Sequence, residues 1–244
     1  MVPNLLKKHS NEIDGIIHIG AHLGQEVEIY NQYNFSKIIF FEPQKDIFDV
    51  LVNNTNKYKN VSCFNFALGS KSESRQLYKS YGNDGKSSSL LAPDLHLSVQ
   101  PSIEFNQDKT IDVKRFDDLN IQTLNFITLD VQGFELEVLK GFGQELHKVE
   151  FIFTEINTKY LYENNALVGD LDKHLEEYNF SRVYTNIDCF KYYGDAFYVK
   201  NTNKKYKINL PKKIVNKLVI SNYYLHLKKL FYPKKLIKMF FNLT

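Results

Sequence analysis

The feature that most restricts this chain is an alternation of short apolar runs with longer helical patterns, with glycine or an acid where several of the runs end. Residues 16–19 (IIHI), 37–41 (KIIFF), 61–66 (VSCFNF), 125–130 (NFITLD) and 149–155 (VEFIFTE) have strand length and β-branched or aromatic character. Helical patterns occupy 25–33, 44–56, 134–140 and 168–178. Pro43 opens the second, and Gly141 is expected to close the third in the left-handed conformation. Residues 75–79 and 110–113 read as extra strands, 116–119 as a short turn, and 182–186 with 196–200 as a closing antiparallel pair. Strands alternating with helices predict an α/β architecture, a doubly wound and mostly parallel sheet with helices on both faces. Such sheets bind ligands beyond the C-terminal strand ends, near the switch in strand order. The long irregular stretch between residues 80 and 109 has a length expected of functional or disordered loops.

The 244 residues suffice for one large domain, or a domain plus an appendage. Charge divides the chain unevenly. Residues 201–244 hold eleven lysines and no acid, whereas the first 200 hold 20 basic and 28 acidic residues. The expected organisation is a domain over 1–200 and a basic helical tail over 201–244. Within the tail, residues 212–231 (KKIVNKLVISNYYLHLKKLF) place apolar residues largely on one helical side. That pattern fits peripheral contact with an anionic membrane, docking of a partner, or packing on the core. Nucleic acid is disfavoured as a partner, because the tail lacks arginine and glycine. Cys63 and Cys189 make no disulfide framework, and no run of about 18 apolar residues is present. The expectation is a cytoplasmic protein, with the tail as its one route to a membrane surface.

Candidate site residues fall just after the strands. The stretch IIHIGAHLG leads a strand into Gly20 and Gly24, which let the backbone turn sharply beside a ligand. A helix starting at Gln25 would aim unpaired N–H groups at a carboxylate or phosphate there. The spacing is not the dinucleotide fingerprint. The second strand ends in FFEP, and Glu42 is placed to accept hydrogen bonds from both hydroxyls of a ribose. The third ends in FALGS, beside the place of an adenine. The fourth ends in Asp130-Val131-Gln132-Gly133, followed by Glu135 in the first turn of a helix. His18, inside its strand, reads as a core histidine.

The set HIGAHLG, FFEP, FALG, SSSLL, LDVQGFELEVLKG and FTEI, in this order and spacing, resembles the FkbM family of S-adenosylmethionine-dependent methyltransferases over roughly residues 14–200. The resemblance implies a class I methyltransferase (Rossmann-like) fold, with about seven strands ending in an antiparallel pair. It also implies methyl transfer to oxygen, often on sugars or natural-product hydroxyls. Carried to this chain, the cofactor-binding set is Gly20, Ala21, His22, Gly24, Glu42, Ala67, Leu68 and Asp130. Asp130 is expected near the methyl-transfer centre and Glu155 against the acceptor, with His22 behind them as a further base. Ser87, Ser88 and Ser89 are candidates for closing over the cofactor or binding a glycan acceptor. The chain departs from the family pattern at His18, His22 and Gln132, where the family usually carries Asp, Asn and Glu.

The leading expectation is therefore an O-methyltransferase acting on a sugar, glycan or glycolipid hydroxyl. The alternatives are a methyltransferase of a small natural product and a non-catalytic S-adenosylmethionine-binding module, the latter motivated by the three departures. A divalent metal is left open: Asp130, Gln132 and Glu155 offer oxygen ligands, but no metal-specific spacing is present.

Overall fold

The structure, a computed structural model, describes residues 2–188 and 190–202. Cys189 and the tail from residue 203 onward, including its amphipathic stretch, lie outside the described residues. The strands are β1 (Gly15–Ile19), β2 (Lys37–Phe41), β3 (Val61–Phe64), β4 (Ala67–Leu68), β5 (Glu73–Tyr81), β6 (Glu104–Lys114), β7 (Phe126–Leu129), β8 (Phe151–Asn157), β9 (Phe180–Asp188) and β10 (Tyr193–Lys200). The helices are α1 (Val2–His9), α2 (Val27–Asn31), α3 (Lys45–Thr55), α4 (His96–Val99), α5 (Glu135–Phe142) and α6 (Val168–Glu177).

Seven strands form the main sheet in the order β3-β2-β1-β7-β8-β10-β9. The pairs β2–β3, β1–β2, β1–β7 and β7–β8 are parallel. β10 runs antiparallel to both β8 and β9, giving the closing pair. A second sheet, β4-β6-β5, stands beside it. The central strands are apolar in unbroken runs because both faces are covered, and all five residues of β1 are buried. Side-chain alternation divides them between two cores. Ile17, Ile39 and Ile127 join Leu139 and Phe142 of α5 on one face, with Leu77 and Val113 of the second sheet. Ile16, Ile38 and Phe126 join Tyr30 of α2 and Leu51 of α3 on the other.

The chain lays down β1, β2 and β3 outward on one side, then returns to place β7 on the other side of β1. The switch in strand order lies between β1 and β7, where Gly20 and Asp130 follow their strands. Gly20 has φ +78°, and a Cβ there would stand 1.9 Å from the Asp130 carbonyl oxygen. The Asp130 N–H donates to the Ile19 carbonyl at 3.1 Å. Only a glycine lets these two strand ends lie this close.

Several expectations are corrected. The helix expected from Gln25 begins at Val27 and has five residues, because tight turns occupy the stretch after Gly20. FALGS does not end the third strand: β3 stops at Phe64, and Ala67-Leu68 pairs with β6 in the second sheet. The irregular stretch is shorter than expected, since β5, α4 and β6 claim parts of it. Helix α1 carried too few apolar residues to be read from sequence, yet Leu6 is fully buried. Gly141 lies inside α5 and does not close it; the positive φ falls at Gly143. Among the described residues no helix is long and apolar enough to cross a membrane.

Gly141 also supplies a test of the packing. Alanine in place of glycine inside a helix ordinarily stabilises by about 1 kcal/mol. Here the added Cβ would meet the Gly69 carbonyl oxygen at 2.0 Å. Gly141→Ala is expected to destabilise by about 1–3 kcal/mol through overpacking, read as a lower midpoint in urea. An unchanged or raised midpoint would show that α5 does not press on the chain at Gly69.

Candidate functional site

A cavity of about 530 Å³ opens beyond the C-terminal ends of β1, β2, β7 and β8. That size lies in the range of roughly 300–1,000 Å³ typical of small-ligand sites. One wall is apolar, built by Phe41, Phe66, Ala67 and Leu68. The remainder is largely polar, and its charged members are mostly acidic: Glu26, Glu42, Asp130 and Glu155 line it, against a single lysine, Lys86.

Glu42 leaves β2 at the cavity edge and is 3% exposed. Its two carboxylate oxygens accept the backbone N–H of Gln44 at 2.8 Å and of His22 at 3.0 Å. Burial pushes its carboxyl up to about 7, against the opposing pull of those N–H groups. Gly20, Ala21 and His22 line the cavity beside it. His22 stands at φ 49°. Its Nε2–H donates to the Asp84 carbonyl at 2.7 Å, leaving Nδ1 to accept from Gln25 Nε2 at 3.1 Å. Gly24 is not part of the lining: a Cβ there would meet Leu51 of α3 at 2.5 Å, so its space is taken by packing. His18 is buried with its Nδ1 3.1 Å from the Tyr30 hydroxyl, and it also lines the cavity; burial lowers its pKa.

Glu26 was missed by sequence reading. It precedes α2 and lines the cavity; its backbone carbonyl accepts the Tyr30 N–H at 3.0 Å, while its carboxylate has no hydrogen-bond or ion-pair partner among the described residues. It occupies the place where an unpaired helix N-terminus was expected to receive a ligand carboxylate. A carboxylate there favours a cationic group instead.

On the far side Asp130, Glu135 and Glu155 each bring one oxygen within 4.8 Å of the others. Asp130 is reachable from the cavity, yet the surrounding walls desolvate it and raise its pKa, with further contributions from Asp195 and Glu26. Glu155 is raised well above the usual carboxylate range, by burial first and then by Asp130, Glu135 and Asp195. Glu135 is 1% exposed; its Oε1 accepts the N–H groups of Val131 and Gly133, both at 3.1 Å. Burial pushes it up to about 7.

The three serines line the cavity with their hydroxyls already engaged. Ser87 Oγ meets Asn83 Nδ2 at 2.8 Å and His96 Nε2 at 3.1 Å. Ser88 Oγ donates to Gln44 Oε1 at 3.2 Å, and Ser89 Oγ donates to the Gln132 carbonyl at 2.7 Å. This segment is a fixed wall, pinned by the Tyr78–Ser89 bridge, where a flexible loop was expected. His96 completes that wall and the buried Tyr162 stands behind it; both were also missed. The Tyr162 hydroxyl reaches the Ser87 carbonyl at 3.0 Å and Gln132 Oε1 at 2.8 Å.

A seven-stranded, mostly parallel sheet closed by an antiparallel pair, with a cavity at its switch point, is the class I methyltransferase fold. The Methyltransferase FkbM domain matches residues 18–182, and the chain belongs to that family. It is 27% identical over 158 residues to the 2-O-methyltransferase NoeI of Sinorhizobium fredii, covering 61% of this chain and 65% of that protein. It is 25% identical over 162 residues to the hexuronic acid methyltransferase AglP of Haloferax volcanii, covering 64% and 61%. The chain thus spans less than two thirds of the length of either relative. The crystal structure of methyltransferase FkbM from Methylobacillus flagellatus shares the fold, with a TM-score of 0.52 and 15% identity over 77% of this chain and 43% of that one.

Glu42 makes the cavity's electrostatics measurable. Its pKa is higher in the folded protein, about 7, than the ordinary value of 4.5. The folded state therefore holds the proton more tightly, and the stability this confers is lost as pH rises through about 7. The shift corresponds to about 3 kcal/mol across that window. Glu42→Gln is expected to flatten the fall in unfolding free energy between pH 5 and pH 8, with the other raised carboxyls, Glu135, Asp130 and Glu155, supplying remaining slope. Equal slopes in wild type and variant would contradict a raised Glu42.

Proposed function

We propose that the chain is an S-adenosylmethionine-dependent O-methyltransferase acting on a sugar or glycan hydroxyl. The observation that carries this reading is the acidic lining of the cavity, four carboxyl groups against one lysine, which favours a cation even with its buried members partly protonated. Such a cavity repels the pyrophosphate of a dinucleotide and attracts a cation. Membership of the FkbM family and the activities of NoeI, a 2-O-methyltransferase, and AglP, a hexuronic acid methyltransferase, point the same way.

The residues present fit the cofactor. Glu42 lies where a ribose is held in doubly wound sheets, and the apolar wall of Phe41, Phe66 and Leu68 suits an adenine. Glu26 and Asp130 offer carboxylates to the cationic end. When bound, the cofactor supplies an electrophilic methyl group on a positively charged sulfur. The protein's own work is to place an acceptor hydroxyl in line, which can supply much of the rate enhancement, and to remove its proton. Asp130 and Glu155 are the groups for that proton. Like charges this close do not all ionise at once, so the cluster holds a proton at neutral pH and can take or return one. His96, Gln100 and Tyr193 line the cavity with groups able to bond a polyol. The basic segment 201–244 is a separate part of this reading: its eleven lysines hold the enzyme at an anionic membrane.

Two experiments test these roles. Glu42→Ala should weaken binding of S-adenosylhomocysteine at least tenfold, since each hydrogen bond to a carboxylate is worth about 1.5–3 kcal/mol; unchanged affinity in calorimetry would remove Glu42 from the ribose. Deletion of residues 212–244 should abolish co-sedimentation with phosphatidylserine vesicles, and retained binding would remove the tail from the membrane.

A further inference from the structure

Gln132 is held at more points than its neighbours on the acidic side of the cavity. Its backbone stands at φ 55°, a left-handed conformation that residues with a Cβ seldom adopt. Its carboxamide nitrogen lies 2.7 Å from Asp130 Oδ1 and 3.3 Å from Glu155 Oε2, so its two hydrogens serve one carboxylate each. Its Oε1 accepts the Tyr162 hydroxyl at 2.8 Å, and its backbone carbonyl accepts Ser89 Oγ at 2.7 Å. The single hydrogen of the Tyr162 hydroxyl is shared between Gln132 Oε1 and the Ser87 carbonyl, so the acceptor oxygens of Asp130 and Glu155, together with Tyr162, turn the amide nitrogen toward the acids. An outlying backbone fixed from four sides inside a cavity is a mark of function.

Clustered carboxylates repel one another unless a proton, a cation or N–H donors stand between them. Among the described residues no lysine or arginine pairs with Asp130, Glu135 or Glu155. The amide nitrogen of Gln132 is the group found between Asp130 and Glu155. We propose that Gln132 is a positioning residue whose carboxamide does the work of a bridging cation, spacing Asp130 and Glu155 without a divalent metal. The proposal rests on reading those two acids as the proton-handling pair. It has a direct chemical consequence. In Gln132→Glu the new side chain can still accept the Tyr162 hydroxyl, but it presents an oxygen to the acids in place of N–H groups. Four carboxylates then converge, a donor set suited to hard divalent cations. Removing the Tyr162 hydroxyl frees the amide to turn its oxygen inward, with a weaker effect of the same sign.

The experiment is titration of the full-length protein with Mn²⁺, read by electron paramagnetic resonance, beside calorimetry with S-adenosylhomocysteine. Wild type should bind Mn²⁺ no better than an Asp130→Asn control. Gln132→Glu should bind it at least tenfold more tightly, and Tyr162→Phe should show a smaller gain should the first variant not fold. Wild-type Mn²⁺ binding that Asp130→Asn abolishes would overturn the proposal, as would no gain in a folded Gln132→Glu or Tyr162→Phe. Failure of wild type to bind S-adenosylhomocysteine would instead overturn the cofactor reading, with the Mn²⁺ result still deciding the role of Gln132.

Discussion

The contact on which the site depends is that of the Gly20 backbone with the Asp130 carbonyl. A single Cβ at Gly20 would sit 1.9 Å from that oxygen. β1 and β7 could then no longer end side by side at the switch in strand order. Glu42 is bonded to the chain just past Gly20, through the His22 N–H. Asp130 begins the turn that carries Gln132 and Glu135. The Glu42 side and the Asp130 side of the cavity are thus positioned by one backbone juncture, with a glycine's missing side chain as its requirement.

Around that juncture the protein gathers acids, with Glu42 and Glu135 buried and Asp130 reachable from the cavity. Isolated carboxylates in such a place would be costly. The structure offsets the cost with backbone N–H groups at Glu42 and Glu135 and with a side-chain amide at Asp130 and Glu155. What remains is a set of pKa values raised toward neutrality and a field that favours positive charge. Both properties suit a reaction that brings a sulfonium into the cavity and takes a proton from a hydroxyl.

Much of this was legible in the sequence, because the central strands are buried on both faces and their apolar runs are unmistakable. The strand ends followed, and with them Gly20, Glu42, Asp130 and Glu155. What could not be read depends on contacts between distant segments. Gly24 looks like a ligand-facing glycine, but Leu51 fills the space beside it. Gly141 looks like a helix cap, but it makes room for the Gly69 carbonyl. The serines look like a loose loop, but His96, Gln44 and Gln132 bind their hydroxyls. His96 and Tyr162 belong to segments with no motif of their own, and only folding brings them to Ser87.

The central claim is that an acidic cavity at the β1–β7 switch takes a cationic nucleoside. Calorimetric titration of the purified full-length protein with S-adenosylmethionine, with NAD as the comparison, tests it most directly. The account predicts micromolar binding of S-adenosylmethionine and none of the dinucleotide. Binding of NAD with no response to S-adenosylmethionine would contradict it.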